Sequence, residues 1–328
     1  MKLRIIGNPI AGGGKAAPRI KALTALLQGR GHSVEVQLTT KAGDAKAWAG
    51  ELPEDLDRLI VAGGDGTLNE VLNGLVDPSR VPIVQMPVGT ANVLVRELGL
   101  PWKPAGVAEI VESGRVRLVD MGEIRMVADE DTNQSASQSD VGPTLTRPLP
   151  GREGSLEQTS ASWTRFLVVM SVGFDSMVIE DIHRNRKGKL GFFGYMKPIW
   201  RTIRRYTPPV ITVRVDGQAM ERGAMVVVAN ARNYAGLFTV AEKAAMDSGV
   251  LDVCVLPRGK VRSLVRFAWA AWRRKLSRVS GVQSLQGRSV MIESNTPMAV
   301  EVDGEYYGQT PVEVRIKPGV VPIVVPGE

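Results

Sequence analysis

From Lys2 to about Leu100 the sequence repeats one unit four times: a short β-branched run, a turn rich in glycine or small polar residues, and a helix-like segment. "KLRII" runs into a glycine-rich turn and a helix-like stretch ending near Gly29, "SVEVQL" into "TTKAGDAKAWA", "DRLIVA" into "GGDGTLNEVLNGL", and "VPIVQM" into "PVGTANVLVRELG". Such alternation predicts βαβ units and a mostly parallel sheet. In sheets of that kind ligands bind beyond the carboxyl ends of the strands, where these turns lie.

Beyond Arg117 the character changes. Residues 129–162 are polar and rich in Ser, Pro and Gly, too poor in apolar residues to hold a fold, and read as a disordered insertion. It separates "RLVDMGEIRMV" from "WTRFLVVMSV", two strand-like runs. The remainder is dominated by strands, with "VITVRV", "AMVVVAN", "LDVCVL", "SVMIES", "MAVEVD", "VEVRI" and "VPIVVP" in order, and one helical segment, "VRSLVRFAWAAWRRKLSR". Asp216-Gly217 and Asp303-Gly304 fall between strand-like runs and predict hairpins. The expected organisation is an α/β nucleotide-binding domain over 1–122, the insertion, and a β-rich, sandwich-like domain over 163–328 whose C-terminal segment packs back on the first. A chain of 328 residues has room for two such cores.

A single cysteine, Cys254, excludes an internal disulfide, and two histidines, His32 and His183, cannot build a His-rich zinc site. The opening residues lack the apolar run a secretory signal needs, and no segment approaches the length of a membrane span, so a cytoplasmic protein is expected. The net charge of +7 points to an anionic partner. Nucleic acid is disfavoured because no recognised binding motif accompanies the charge.

"GGDGTLNEVLNGL" divides into two parts. Thr67 and Glu70 have the form of a capping box, and Leu68, Val71, Leu72 and Leu75 recur at helical spacing, as any core-facing helix requires. Gly63, Gly64 and Gly66 instead let the backbone approach a ligand at a helix N-terminus, a phosphate cradle beside which Asp65 can hold a hydrated Mg²⁺ or a hydroxyl. The Rossmann fingerprint fails because Asn69 stands at its third glycine, and the Walker loop fails because Ala16 follows Gly14-Lys15. Asn8 with Gly12 to Gly14, and Thr90 in "PVGTAN", supply two further turns of the same kind at the same sheet edge.

In "NPIAGGGK", "GGDGTLNEVLNGL", "MPVGTANVLVRELGL", "SVGFDSMV", "AMDSGVLDV" and "EVDGEYYGQTPVEVRIKPG" the chain resembles the diacylglycerol kinase catalytic family, which includes bacterial lipid kinases, sphingosine kinases and ceramide kinases. The segments follow the family's order from residue 8 onward. NAD kinases carry a similar Gly-Gly-Asp-Gly-Thr turn, but the Asn-Glu after it, the Gly-Thr-Ala-Asn turn and the terminal Asp-Gly-Glu look like the lipid kinases.

The resemblance implies a Rossmann-like N-terminal domain of the NAD kinase and diacylglycerol kinase type, and ATP-dependent phosphorylation of a lipid hydroxyl in the cleft between the domains. Gly63, Gly64, Asp65, Gly66, Thr67, Leu68 and Asn69 would then wrap the ATP phosphates, with Asn8, Thr39 and Thr90 also at the nucleotide. Glu305 would be the general base, with Asp303 beside it and Asp65 across the cleft. Two positions depart from the family. Ser248 stands where an Asp usually helps bind a structural Mg²⁺, with Asp247 one residue earlier, so that site is expected to be weakened, shifted or lost. Val93 stands where many relatives carry a polar residue.

The resemblance also implies ATP and Mg²⁺ as cofactors and a lipid substrate met at an anionic membrane surface, with a homodimer left open. Two basic stretches, "HRNRKGKLGFFGYMKPIWRTIRRY" and the helix from Val261 to Arg278, mix Arg and Lys with aromatics as an interfacial segment does, although a packed helix with solvated charges explains the second equally simply. The rivals are a sphingoid or other lipid alcohol kinase, an NAD kinase-like enzyme, and a nucleotide-gated lipid-binding protein without catalysis.

Overall fold

A computed structural model describes residues 1–127, 162–185, 194, 196–234, 238–256, 261–276, 279 and 281–327. The polar stretch 129–162 lies, but for Ser162, outside the described residues. The first half runs β1 (Lys2–Gly7), α1 (Ala11–Gly14), α2 (Ala16–Gly29), β2 (Ser33–Leu38), α3 (Asp44–Gly50), β3 (Arg58–Gly63), α4 (Asp65–Gly74), β4 (Ile83–Pro87), α5 (Val93–Leu98), α6 (Pro104–Ser113) and β5 (Arg115–Met126). The second half continues with β6 (Thr164–Phe166), β7 (Val169–Val172), α7 (Phe174–Asn185), α8 (Met196–Arg205), β8 (Ile211–Val215), β9 (Gln218–Gly223), β10 (Met225–Ala229), β11 (Asn233–Tyr234) and β12 (Phe238–Thr239). It closes with β13 (Leu251–Leu256), α9 (Val261–Trp272), β14 (Gln283–Gly287), β15 (Ser289–Ser294), β16 (Ala299–Val302), β17 (Glu305–Gln309) and β18 (Val312–Val325).

The alternating first half forms the expected parallel sheet, in the order β2-β1-β3-β4. Its inner strands are apolar runs because helices cover both faces. Ile20, Leu23 and Leu27 of α2 and Val107 and Val111 of α6 fill one side. Ala45 and Ala49 of α3, Leu68, Val71 and Leu72 of α4, and Val93 to Val95 of α5 fill the other.

The sheet does not end at β4. Ile323 of β18 pairs in parallel with Ile83, and β18 also pairs antiparallel with β5 and β15, so one sheet runs through both halves and on through β8 to β9. A second sheet, β14-β13-β10-β7-β16-β17, lies over its far part, and the two enclose a core containing Phe166, Val172, Val213, Val226, Val253, Ile292, Val300 and Val314. This is the expected sandwich.

Three local expectations change. "VEVRI" and "VPIVVP" are one strand, because Lys317 to Val321 forms an irregularity within β18 and both flanks stay paired to the long β5. "WTRFLVVMSV" is two strands, β6 in the first sheet and β7 in the second, with the crossing at Leu167 and Val168. The second half also contains α7 and α8, whose ends "HRN" and "MKPIWRTIRR" fall in a stretch read above only as basic and aromatic. Both Asp-Gly hairpins form: Val215 pairs with Gln218 and Val302 with Glu305, with Asp216 and Asp303 at positive φ.

Ile323 is fully buried and belongs to the core that both halves share. Ile323→Ala should lower the unfolding free energy by about 2–5 kcal/mol in urea titration. Amide exchange should quicken in β4 as well as in β15, since both lean on this strand.

Candidate active site

Four turns meet at one edge of the parallel sheet, and missing Cβ atoms let them meet. A Cβ on Gly12 would lie 2.2 Å from the Val88 carbonyl oxygen, so the first turn rests on the turn after β4. A Cβ on Gly89 would lie 2.5 Å from the Gly64 Cα, so that turn touches the one after β3. A Cβ on Gly66 would lie 2.9 Å from Glu305 Oε1, so the β16–β17 hairpin brings its carboxylate onto the first turn of α4. Glu305 is thus at the end of α4 although it lies far along the chain in the other sheet. Its charge is felt at Glu70, whose carboxyl is raised chiefly by burial and further by Glu305.

Beside these turns lies an open cleft of about 580 Å³ lined by Gly12, Lys15, Pro18, Arg19, Pro87, Val88, Gly89, Thr90, Asn92 and Trp102. Gly12, Gly13 and Gly14 all have positive φ, which turns successive amides as anion-binding loops do. Lys15 and Arg19 bring two cations, with Arg19 anchored by donating to the Pro87 carbonyl at 3.1 Å. Lys15 was passed over in the sequence because Gly14-Lys15 does not continue as a Walker loop. Its signal was its position directly after three glycines at a strand end.

The residues named from sequence separate by what their side chains contact. Thr90 lines the cleft. Asn8 accepts the Ile10 amide at 3.2 Å and shapes the first turn. Thr39 is held by its amide on the Gly7 carbonyl at 2.8 Å, between the ends of β1 and β2 and outside the residues lining the cleft. Gly63 packs against Thr67, which is buried. No capping box forms: Gly64 is the N-cap of α4 without a side-chain cap, and Glu70 accepts the Gly43 amide instead. Leu68 lies in the core with its amide on the Gly64 carbonyl.

Asp65 Oδ1 accepts the Val93 amide at 2.8 Å, so the acid of the glycine turn caps α5 and holds the turn after β4. Burial raises its pKa, and the amides of Val93, Leu94 and Asn92 oppose the rise. Val93, the residue that departs from the family, is buried in the core. Asn92 completes this turn by exchanging two hydrogen bonds with Gly89.

Asn69 and Asp303 join the two halves. Asn69 Nδ2 donates to Asp303 Oδ2 at 3.3 Å and to the Arg165 carbonyl at 3.2 Å. Asp303 also accepts the amides of Leu167, Val168 and Val169, each at 3.0 Å, which pins the chain where it crosses between sheets. Desolvation pushes Asp303 up to about 6, offset in part by these donors. Two residues before it, Glu301 is fully buried, and burial and the Asp175 carboxylate push it up to about 8. Sequence reasoning missed Glu301 and Asp175; the signal was an acid inside each of the apolar runs "MAVEVD" and "SVGFDSMV".

The residues present do not fit a protein-built Mg²⁺ site at 247–248. Asp247 pairs with Arg117 at 2.7 Å, and the Ser248 hydroxyl donates to the Val250 carbonyl. The adjoining Asp120 accepts the amides of Gly249 and Gly319. Among the described residues no three His, Cys, Asp or Glu side chains gather as metal ligands.

A buried acid with a raised pKa binds its proton more tightly in the folded chain, so its stabilising effect is complete below its ordinary pKa and is lost as pH rises through the folded value. For Asp303 and Glu301 that window runs from the ordinary carboxylate range through about 6 and about 8. Urea unfolding should therefore show stability falling as pH rises across this window. Glu301→Gln should flatten the upper part of the slope.

Comparison with known proteins places both halves of the chain in known domain families. Residues 2–124 match the family model described as the diacylglycerol kinase catalytic domain, and residues 168–325 match the YegS C-terminal NAD kinase beta sandwich-like domain. A diacylglycerol kinase of Bacillus subtilis is 24% identical over 316 residues, spanning 95% of this chain and 92% of its own. The crystal structure of a diacylglycerol kinase from Bacillus anthracis superposes with a TM-score of 0.70 at 22% identity, covering 99% of this chain and 96% of its own. Yeast NADH kinase shares the fold more distantly, with a TM-score of 0.51 at 11% identity over 100% of this chain and 84% of its own. With both of its halves matched by one pair of domains, the chain belongs to the diacylglycerol kinase catalytic family of lipid kinases.

Proposed function

We propose that the chain transfers the γ-phosphoryl group of ATP to a lipid hydroxyl, with diacylglycerol as acceptor and phosphatidic acid as product. The observation that carries the reading is the Glu305 carboxylate seated on the first turn of α4, beside the cleft that Gly12, Lys15, Arg19 and Thr90 line. Phosphates suit that cleft because the side chains of Lys15 and Arg19 present two cations there. The acceptor hydroxyl attacks the γ-phosphorus, Glu305 takes the hydroxyl proton, and the bond to the β-phosphate oxygen breaks to release ADP. Mg²⁺ bound to the phosphates supplies further charge neutralisation when ATP is present. Asp65 and Asn69 contribute by holding turns: Asp65 fixes the turn of Thr90, and Asn69 fixes the hairpin of Glu305.

The lipid is met at an anionic membrane surface. Along α9, Leu264, Phe267, Ala270 and Ala271 are buried, while Val265, Trp269 and Trp272 are 63%, 59% and 52% exposed beside exposed Arg262, Arg266 and Arg273. The two indoles lie 5.2 Å apart, and Arg273 stands 5.8 Å above Trp269. Exposed tryptophan among arginines matches an acidic lipid interface. No helix among the described residues is long and apolar enough to cross a membrane.

Labelled ATP offered with diacylglycerol in vesicles, and in parallel with NAD, tests the acceptor. Labelled phosphatidic acid is expected; label on NAD alone overturns the reading, and label on a sphingoid base but not on diacylglycerol shifts it to that alcohol. Glu305→Gln should lower kcat by about 10²–10⁴-fold with KM for ATP nearly unchanged. Turnover within tenfold of wild type would remove Glu305 from the base role.

For the membrane face, the double variant Trp269→Ala, Trp272→Ala should bind vesicles of phosphatidylglycerol and phosphatidylcholine about tenfold more weakly in sedimentation while still phosphorylating a short-chain, soluble diacylglycerol. Unchanged vesicle binding would argue that α9 does not meet the lipid.

A further inference from the structure

The β16–β17 hairpin carries Glu305 on a turn, and turns are mobile unless something holds them. Two part-buried contacts hold this one. From one side Asp303 ties the turn to Leu167, Val168, Val169 and Asn69. From the other, the amide of Gly304, the residue directly before Glu305, donates to Glu301 Oε1. The register shifts between Val300 and Glu301, and the ladder resumes with Glu301 opposite Tyr306 and Val302 opposite Glu305.

The rest of the Glu301 carboxylate is anchored in the sandwich. Ser171 of β7 donates its hydroxyl to Oε2 at 2.8 Å, and the Ser176 hydroxyl donates to the Ser171 carbonyl at 2.8 Å. Asp175 of α7, which receives the Tyr234 hydroxyl at 2.6 Å, is the neighbouring acid. A chain of contacts thus runs from α7 and β7 through Glu301 to the backbone of Gly304. A buried acid in an otherwise apolar strand is expensive, which argues that it is retained for what it holds.

Resting on the reading of Glu305 as base, we propose that Glu301 is the positioning residue of that base: its carboxyl, fixed by Ser171, holds the Gly304 amide and so keeps the Glu305 carboxylate on the first turn of α4. Glu301 touches neither nucleotide nor acceptor. What it supplies is an acceptor oxygen at one fixed place, so shape and reach matter more than charge. The side chain of Gln has the same reach and keeps a carbonyl oxygen for the Gly304 amide. The side chain of Asp keeps the carboxylate but is one methylene short.

Kinetics of three variants decide the matter. Glu301→Ala should lower kcat by about 10–100-fold while KM for ATP stays within about twofold, because the phosphate cleft is not disturbed. Glu301→Gln should recover kcat to within about fivefold of wild type, and Glu301→Asp should not recover it. If Glu301→Ala does not fold, the comparison of the Gln and Asp variants carries the test alone. Full kcat in Glu301→Ala, or equal kcat in the Gln and Asp variants, would overturn the proposal. A merely structural role would lower the yield of folded protein and leave kcat per folded molecule unchanged, which would also overturn it. These outcomes are distinct from failure of the base assignment, which shows as an active Glu305→Gln variant.

Discussion

The Asp303 carboxylate is the contact on which the arrangement depends. It accepts three consecutive amides where the chain leaves one sheet for the other, and a fourth donor, Asn69, from the helix of the glycine turn. One side chain therefore fixes the sheet crossing, the hairpin of Glu305 and the docking of α4. Four donors explain how a carboxyl can sit in so enclosed a place. They also make Asp303 the frame of the Glu305 hairpin.

The same economy holds elsewhere in the site. Asp65 is spent on the Val93 amide, and Asn92 on Gly89, so the polar residues nearest the cleft mostly hold one another's backbones. The residues that line the cleft include Lys15, Arg19 and Thr90. Such a site suits phosphoryl transfer, in which positioning and charge neutralisation do most of the work. It also makes geometry the vulnerable quantity: at Gly12 and Gly89 a larger residue would meet the backbone of a neighbouring turn, and at Gly66 it would displace the Glu305 carboxylate.

Much of this was readable in the chain. The alternation of strand, turn and helix gave the parallel sheet, because a period of two and a period near 3.6 are hard to confuse over four repeats. The two Asp-Gly hairpins were legible because their turns need positive φ. The conjunction of glycine turns with a distant Asp-Gly-Glu named the site through family resemblance. The roles of Thr67, Leu68 and Asn69 were not legible: local spacing cannot say whether a helix start faces a ligand, the core or another domain. Glu301 and Asp175 escaped for a related reason, since an acid in a strand or at a helix start looks solvent-facing until what packs over it is known. The continuity of β18 past Pro318 and Gly319 depends on its partner β5, which lies far away in sequence.

The parallel pairing of Ile323 with Ile83 spans about 240 residues of chain. Contacts of such separation form late, because the entropy of closing a long loop precedes the reward. As the polypeptide emerges, β4 therefore waits with one edge open, its "IVQM" run offering unpaired amides and carbonyls. An open apolar edge recruits strands from other molecules. The design that runs one continuous sheet through both halves of the chain thus creates an interval during synthesis in which that edge is exposed, and the arrival of β18 ends it.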